Sequence, residues 1–296
     1  MEHPFFQPHE VYVGRNVSGR STVAGAADVE RYGAGTGDRH PWYRGDSPFG
    51  GAVAPALLYH SEVYRDLGWY LPNLIGNLHA KQEWDLFAPI AVGQTVRTRS
   101  TVVGRYRKRD RDYIVNEVLV TDMDGHWLQR SRTHQSFLID DPTAAMVVDK
   151  QRERRADRRF DVADGGEALA PITRPVTVAM CEAFSGPVRN YHTDREMARA
   201  LGFPDIVVQG MLSICFISEL MTHAFGAGWF CGGQLAVNLV NVLWAEETVH
   251  TRGRIREEVP EGRHARVRAD VWCEKADGTK TVVGTASALR RNAPPN

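Results

Sequence analysis

Apolar and polar positions along the chain fall into two successive sets of the same kind. In the first, Leu57, Leu58, Val63 and Tyr64 recur at helical spacing and predict a helix over Ala54–Leu67. A shorter helix is expected before it, over Val23–Gly33. Strand-like segments follow it: Leu78–Leu86, Thr95–Tyr106, Asp112–Asp122 and His126–Ile139. The last two are joined by Asp122-Met-Asp-Gly125, a hairpin signal, because Asp-Gly accommodates positive φ. In the second set, Val176–Phe184 reads as a strand end and a short helix. Thr193 with Glu196 has the form of a capping box, opening a helix that runs to Leu201 and stops at Gly202-Phe-Pro204. The next helix, Gly210–Phe225, is apolar almost all round. Three or four strands finish the chain, near Gln234–Trp244, Thr248–Glu257, His264–Lys275 and Thr281–Arg290. Ala276-Asp-Gly278 takes the hairpin position there.

The two sets keep their order at a nearly constant separation. Tyr43 and His192 each close a polar loop and are 149 residues apart; the hairpin residues Asp124 and Asp277 are 153 apart. A spacing kept through loop, helix and hairpin points to duplication of one unit. The expected organisation is an N-terminal unit over 1–140, a linker over 141–170 and a C-terminal unit over 171–296. The linker reading rests on Gln151-Arg-Glu-Arg-Arg-Ala-Asp-Arg-Arg159, whose mixed charges favour solvent, and on Gly165-Gly166. The charged stretch Arg105–Asp112 is expected as a solvated hairpin turn. A helix that is apolar on all faces must be wrapped, and a curved antiparallel sheet does this. The fold class is therefore α+β, a double hotdog: two hotdog units, each a long central helix wrapped by an antiparallel sheet.

Composition narrows the function classes. Lys and Arg total 36 against 36 Asp and Glu, so no overall charge draws the chain to nucleic acid or to an acidic membrane. The apolar run from Met211 to Met221 is too short to span a bilayer. The opening MEHPFFQPHE lacks a signal-peptide pattern, so a cytoplasmic protein is expected. Cys181, Cys215, Cys231 and Cys273 include no CxxC pair and are expected as free, buried thiols, with no metal site.

Candidate chemistry lies in two polar loops. The second, FSGPVRNYHTD (184–194), places His192 two residues before Asp194 and is followed by Val207-Val-Gln-Gly-Met-Leu212. The first, Gly37-Asp-Arg-His-Pro-Trp-Tyr43, is followed by Trp84-x-x-Phe-Ala-Pro-x-x-x-Gly-x-Thr95. Together these residues resemble the MaoC-like dehydratases, which include the (R)-specific enoyl-CoA hydratases, over nearly the whole chain. The signature of that family is Asp-x-Asn-Pro-x-His-x-Asp, then a Gly-Met or Gly-Leu pair opening the hotdog helix. The resemblance implies a lyase whose substrate carries coenzyme A or acyl carrier phosphopantetheine, with no separate cofactor. An acyl carrier protein is a candidate partner and a homodimer a candidate assembly. By position, His192 matches the catalytic histidine and Gly210 the helix-entry glycine, with Gln209 beside it at the thioester oxygen. The aspartate position holds Pro187, the asparagine position Arg189 and the proline position Asn190. In the first loop Asp38 matches the aspartate, while His40 and Tyr43 take the asparagine and histidine positions; these three are second-site candidates. Asn190, as a water-orienting amide, and Asp194, as a partner for His192 or a helix-capping carboxylate, complete the candidate set.

Adding water to an α,β-unsaturated thioester, or removing it from a 3-hydroxyacyl thioester, needs proton transfer at C3 and C2. It also needs a hydrogen-bond donor for the thioester oxygen. An imidazole can act as base and then acid, and a helix start can serve the oxygen. With the aspartate position filled by proline, three readings stay open. They are a hydro-lyase, another acyl-thioester enzyme (thioesterase, isomerase or dehydrating cyclase of secondary metabolism), and a non-catalytic substrate-holding subunit. Asp38 is not expected to partner His192, because a pseudo-twofold axis would set the two loops in opposite sites.

Overall fold

The computed structural model describes residues 11–69, 78–108, 111–138 and 159–291. The first half supplies strands β1 (Asn16–Val23), β2 (Leu78–Leu86), β3 (Thr95–Lys108), β4 (Arg111–Thr121) and β5 (Trp127–Leu138). The second supplies β6 (Ile172–Pro175), β7 (Gln234–Leu239), β8 (Thr248–Glu261), β9 (His264–Lys275) and β10 (Lys280–Arg291). All ten make one antiparallel sheet in the order β1-β3-β4-β5-β2-β7-β10-β9-β8-β6. Read from the centre outward, each half repeats the other, so the pseudo-twofold axis passes through the β2–β7 seam. That seam pairs Lys81 with Asn238 and Asp85 with Gln234. This is the double hotdog topology expected from the repeat. Strand β1 carries little sequence signal, since Asn16-Val-Ser-Gly-Arg-Ser-Thr-Val23 is mostly polar and holds a glycine.

The helix Gly210–Phe225 forms as its pattern predicts, and every residue from Met211 to Thr222 is buried. Its apolar residues share one core cluster with Trp229, Val237 and Val271, themselves fully or almost fully enclosed. The core runs unbroken across the seam, with Trp84 and Leu86 of one half in the same cluster as Leu235 and Val237 of the other.

The central helix predicted over Ala54–Leu67 does not form. Tight turns lead into a 3₁₀ helix, Glu62–Trp69. The backbone bonds span three residues: Leu58 N–H to Pro55 O, His60 N–H to Leu57 O, Tyr64 N–H to Ser61 O, at 2.9–3.0 Å. Tyr59, His60 and Ser61 are indifferent helix formers. Glu62 is meanwhile pulled to the sheet by Arg20 and by the Thr98 hydroxyl, 2.8 Å away. Tertiary bonds therefore outweigh the helical spacing, and among the described residues only the second unit has a long central α-helix.

Smaller corrections follow the same logic. The first helix is Ala26–Thr36, shifted from the predicted Val23–Gly33 because β1 extends to Val23. Asp194, not Thr193, caps the helix Arg195–Ala200. The middle of the expected linker lies outside the described residues, but its end does not hang free. Ile255 N–H donates to Glu167 O (2.8 Å) and Leu169 N–H to Gly253 O (2.9 Å), laying this stretch along β8. In the Arg105–Asp112 stretch, residues 109–110 are outside the described set, and Arg105 pairs with Asp112. Three cysteines are free and buried as expected, whereas Cys231 is exposed.

Phe216 in the central helix is fully buried, with the Arg174 guanidinium 5.2 Å from its ring centroid. Phe216→Ala is expected to cost about 3–5 kcal/mol, the range for emptying a packed aromatic site. Val23→Ala, at a half-exposed position, should stay within about 0.5 kcal/mol. Urea midpoints at constant slope measure both.

Candidate functional site

The loop after the helix Val178–Ser185 is built around Asn190. Both amide hydrogens are committed, to Ser185 O (3.2 Å) and Val188 O (2.8 Å), and Oδ1 accepts from His192 N–H at 2.8 Å. Asn190 thus shapes the loop, and its amide N–H groups are not available to orient a water. Asp194 is equally occupied. Its Oδ1 accepts from Met197 N–H at 2.9 Å and its Oδ2 from Arg189 Nε at 2.9 Å. The helix-start bond, and after it the guanidinium, hold its carboxyl below the usual range. Asp194 is therefore a cap and an ion-pair partner, not the partner of His192.

His192 is half-buried, with Nδ1 2.7 Å from Val207 O. A carbonyl oxygen only accepts, so this bond assigns the hydrogen to Nδ1 and leaves the Nε2 lone pair open. Withdrawal from water pushes the imidazole down to about 4, and the Val207 carbonyl offsets part of that shift. Near neutral pH the ring is an uncharged base. Tyr191 packs against it at 4.0 Å and continues to Phe203 and Trp244, so Tyr191 is a packing residue.

Val207 leads within three residues to the central helix. Gln209 precedes its first turn, and its Oε1 accepts from Ser185 Oγ–H at 3.2 Å, tying the helix entry to the His192 loop. A Cβ at Gly210 would lie 2.0 Å from Leu239 Cδ2 and 3.6 Å from His79 Nδ1. Strand β7 and the first half crowd this point, so glycine is needed here for packing. The first-turn N–H groups of such a helix have no intrahelical acceptor and can bind a developing oxyanion.

His79, from the first half, is a site neighbour that sequence reading missed. Its Nε2 lies 3.0 Å from Gln82 Oε1, and Tyr64 Oη is 3.1 Å from its Nδ1. Gln82 Oε1 also accepts from Thr133 Oγ1–H at 2.8 Å. Burial pushes His79 down to about 4. No motif marks it; the β2–β7 pairing carries it to Gly210.

The first polar loop makes a different site. Asp38 is 2% exposed; its Oδ2 accepts from Tyr43 Oη–H at 2.7 Å and its Oδ1 from His40 N–H at 3.1 Å. The structure therefore brings all three second-site candidates together, on a surface supplied by the second half. Burial first, and then the Glu219 charge, raise the Asp38 carboxyl to about 6. Glu219, 5% exposed, is gripped by both terminal nitrogens of Arg174 at 2.5 and 2.9 Å. The His223 ring lies 5.7 Å from that of His40. Asp38, Glu219 and His223 have ligand atoms within 4.8 Å of one another, as do Asp122, Asp124 and His126 on an exposed turn. Those two groups are the ones among the described residues that could hold a metal; the first is assembled from residues far apart in the sequence, whereas the second is the local Asp122-x-Asp-x-His126 run of the hairpin turn. Glu219 is nine residues along the helix from Gly210, about 13 Å at 1.5 Å per residue. Asp38 and His192 thus sit at different levels of one helix, as the pseudo-twofold argument requires.

No protein-family model matches the chain, and no curated protein does. Solved structures share its fold. A MaoC-like dehydratase superposes with a TM-score of 0.73 at 17% identity, covering 95% of this chain and 98% of that one. A MaoC-like dehydratase from Phytophthora capsici gives 0.69 at 16% identity, covering 95% and 97%. A conserved protein from Mycobacterium tuberculosis, described as having a double hotdog fold, gives 0.59 at 14% identity over 95% and 96%. The chain therefore has the double hotdog fold found in MaoC-like dehydratases. Among the described residues, no helix is long and apolar enough to cross a membrane.

The shifted groups predict an acid-sensitive fold. His60, pushed to about 3, and His79 and His192, each at about 4, stay neutral when folded but take up protons near 6.5 when unfolded. Their contribution is complete above about pH 6.5 and is lost as pH falls toward 4. Asp38, raised to about 6, opposes this, because its burial costs stability as pH rises from about 4 to 6. Unfolding free energy should be lower at pH 4.5 than at pH 7, and Asp38→Asn should steepen the fall. Urea titrations at the two pH values test both; a midpoint independent of pH would contradict the burial of these rings.

Proposed function

We propose that the chain is a hydro-lyase acting on an acyl thioester, hydrating an enoyl or dehydrating a 3-hydroxyacyl group, with His192 as its acid–base residue. The supporting observation is the Val207 carbonyl, which fixes the imidazole tautomer and presents Nε2 as a base beside the start of the central helix. In the hydration direction, Nε2 takes a proton from the water that attacks C3 and returns it at C2. The N–H groups at Gly210 and Met211, aided by the helix dipole, receive the charge that develops on the thioester oxygen. That negative charge offsets the cost of protonating so withdrawn an imidazole. Gln209 and Asn190 act by holding the loop and the helix entry in register. The fold shared with MaoC-like dehydratases over 95% of the chain supports the same class of substrate. Coenzyme A or a phosphopantetheine arm enters as part of that substrate, and the reaction needs no other cofactor.

Pro187, standing where the family places its aspartate, favours a second reading, thioester hydrolysis with His192 activating water against the carbonyl carbon. Crotonyl-CoA separates the two. Hydration removes the enoyl absorbance and leaves the thioester intact, whereas hydrolysis releases a free thiol. His192→Ala is expected to lower turnover by about 10²–10⁴-fold while the folded state survives. A variant with full activity would sink the assignment. In the wild type, kcat/KM should keep its acid limb near pH 4, because the base is already neutral well below pH 6.5.

A further inference from the structure

On the outward face of β1, β3 and β4, two rows of side chains lie in register. Ser21, Arg97 and Thr121 form one, and Gly19, Arg99 and Leu119 the next. Together with Gly125 and Trp127 they line a concavity of about 660 Å³. Such a volume lies within the roughly 300–1,000 Å³ of small-molecule sites. Gly19 contributes no side chain, so the Arg99 row is open at one flank.

The charge pattern on this face is selective. Neighbouring outward arginines are matched across strands: Arg130 with Asp85 at 2.8 Å, Arg132 with Glu117 at 2.9 Å. Arg97 and Arg99 are exposed and have no ion-pair partner among the described residues, and no carboxylate lines the concavity. Two residues apart on one strand face, their backbones are separated by roughly 7 Å. Two unmatched guanidinium groups at that spacing suit a phosphate or diphosphate, which each can bind through paired N–H donors.

The rim adds a second chemistry. Trp127 is 51% exposed, an uncommon place for an indole; Phe87 braces it edge-on at 5.6 Å, and the Arg130 guanidinium lies over its ring, 5.9 Å from the centroid. An aromatic ring so held offers a stacking surface for a planar base. The Ser21 and Thr121 hydroxyls flank Arg97 and suit a ribose or further phosphate oxygens. We infer that this outer face binds a nucleoside diphosphate, its phosphates on Arg97 and Arg99 and its base on Trp127. Free nucleotide and the nucleotide end of coenzyme A share that chemistry. The inference does not depend on His192.

Calorimetric titration of the full chain with ADP, coenzyme A and inorganic pyrophosphate tests it. ADP should bind in a salt-sensitive manner, and the double variant Arg97→Ala/Arg99→Ala should weaken it at least tenfold without moving the urea midpoint. Trp127→Ala should weaken ADP several-fold and leave pyrophosphate unchanged, while His192→Ala should bind ADP like the wild type. Coenzyme A binding that falls in parallel in the arginine variant supports the carrier as the source. ADP binding without coenzyme A binding supports a free nucleotide. Absence of ADP binding, or ADP binding that the double arginine variant leaves intact, overturns the inference. So does pyrophosphate binding as tightly as ADP with no effect of Trp127→Ala.

Discussion

A helix with no solvent-facing side has to be enclosed, and enclosing Gly210–Phe225 governs the rest of the molecule. Twelve consecutive residues of it, from Met211 to Thr222, are buried. A flat sheet covers one side of a helix; only a curved one, completed by loops and short helices, covers them all. The enclosure also traps one charge. Glu219 sits in the buried run, and a carboxylate there requires a matched cation, which Arg174 of the edge strand supplies. The same bidentate pair fastens β6 to the helix and sets the charge that Asp38 feels.

Joining the two halves through β2 and β7 gives one sheet and one core, and each polar loop is finished by the half it does not belong to. His79 of the first half reaches the Gly210 entry of the second. Glu219 and His223 of the second lie against Asp38 of the first. Where the halves touch, Gly35 approaches Phe184 closely enough that a Cβ would stand 2.9 Å away, and His60 stacks on the Phe184 ring at 4.1 Å. Neither loop would keep its environment in an isolated half.

The two polar loops hold complementary groups. The second loop keeps an imidazole whose tautomer is fixed by a backbone carbonyl; the first keeps a carboxylate engaged by a tyrosine and a backbone N–H. Burial acts on them in opposite directions, depressing the histidine and raising the aspartate, because in each it disfavours the charged form. Both changes favour neutral groups near the helix.

Periodicity determined much of this protein. The repeat, the hairpins at Gly125 and Gly278, most strands and the bounds of the helix Gly210–Phe225 follow from local spacing. Local spacing suffices there because side-chain direction in a strand or helix depends on a residue's position within its own element. The polar loops were legible as places, since His192, Gly210 and Asp38 stand at motif positions. What each side chain does was not legible. Asn190 and Asp194 look like catalytic neighbours in the sequence, yet near neighbours in the chain take up their hydrogen bonds: backbone groups for Asn190, and the Met197 N–H and the Arg189 side chain for Asp194. The first-half helix fails although its spacing is helical, because Arg20 and Thr98, distant in sequence, draw Glu62 to the sheet. His79 and Arg174 carry no motif, and their importance comes from partners roughly 45 to 130 residues away. Sequence thus determined which elements form and where polar groups cluster. Tertiary structure decided which groups meet, because hydrogen bonds and burial depend on distances in space.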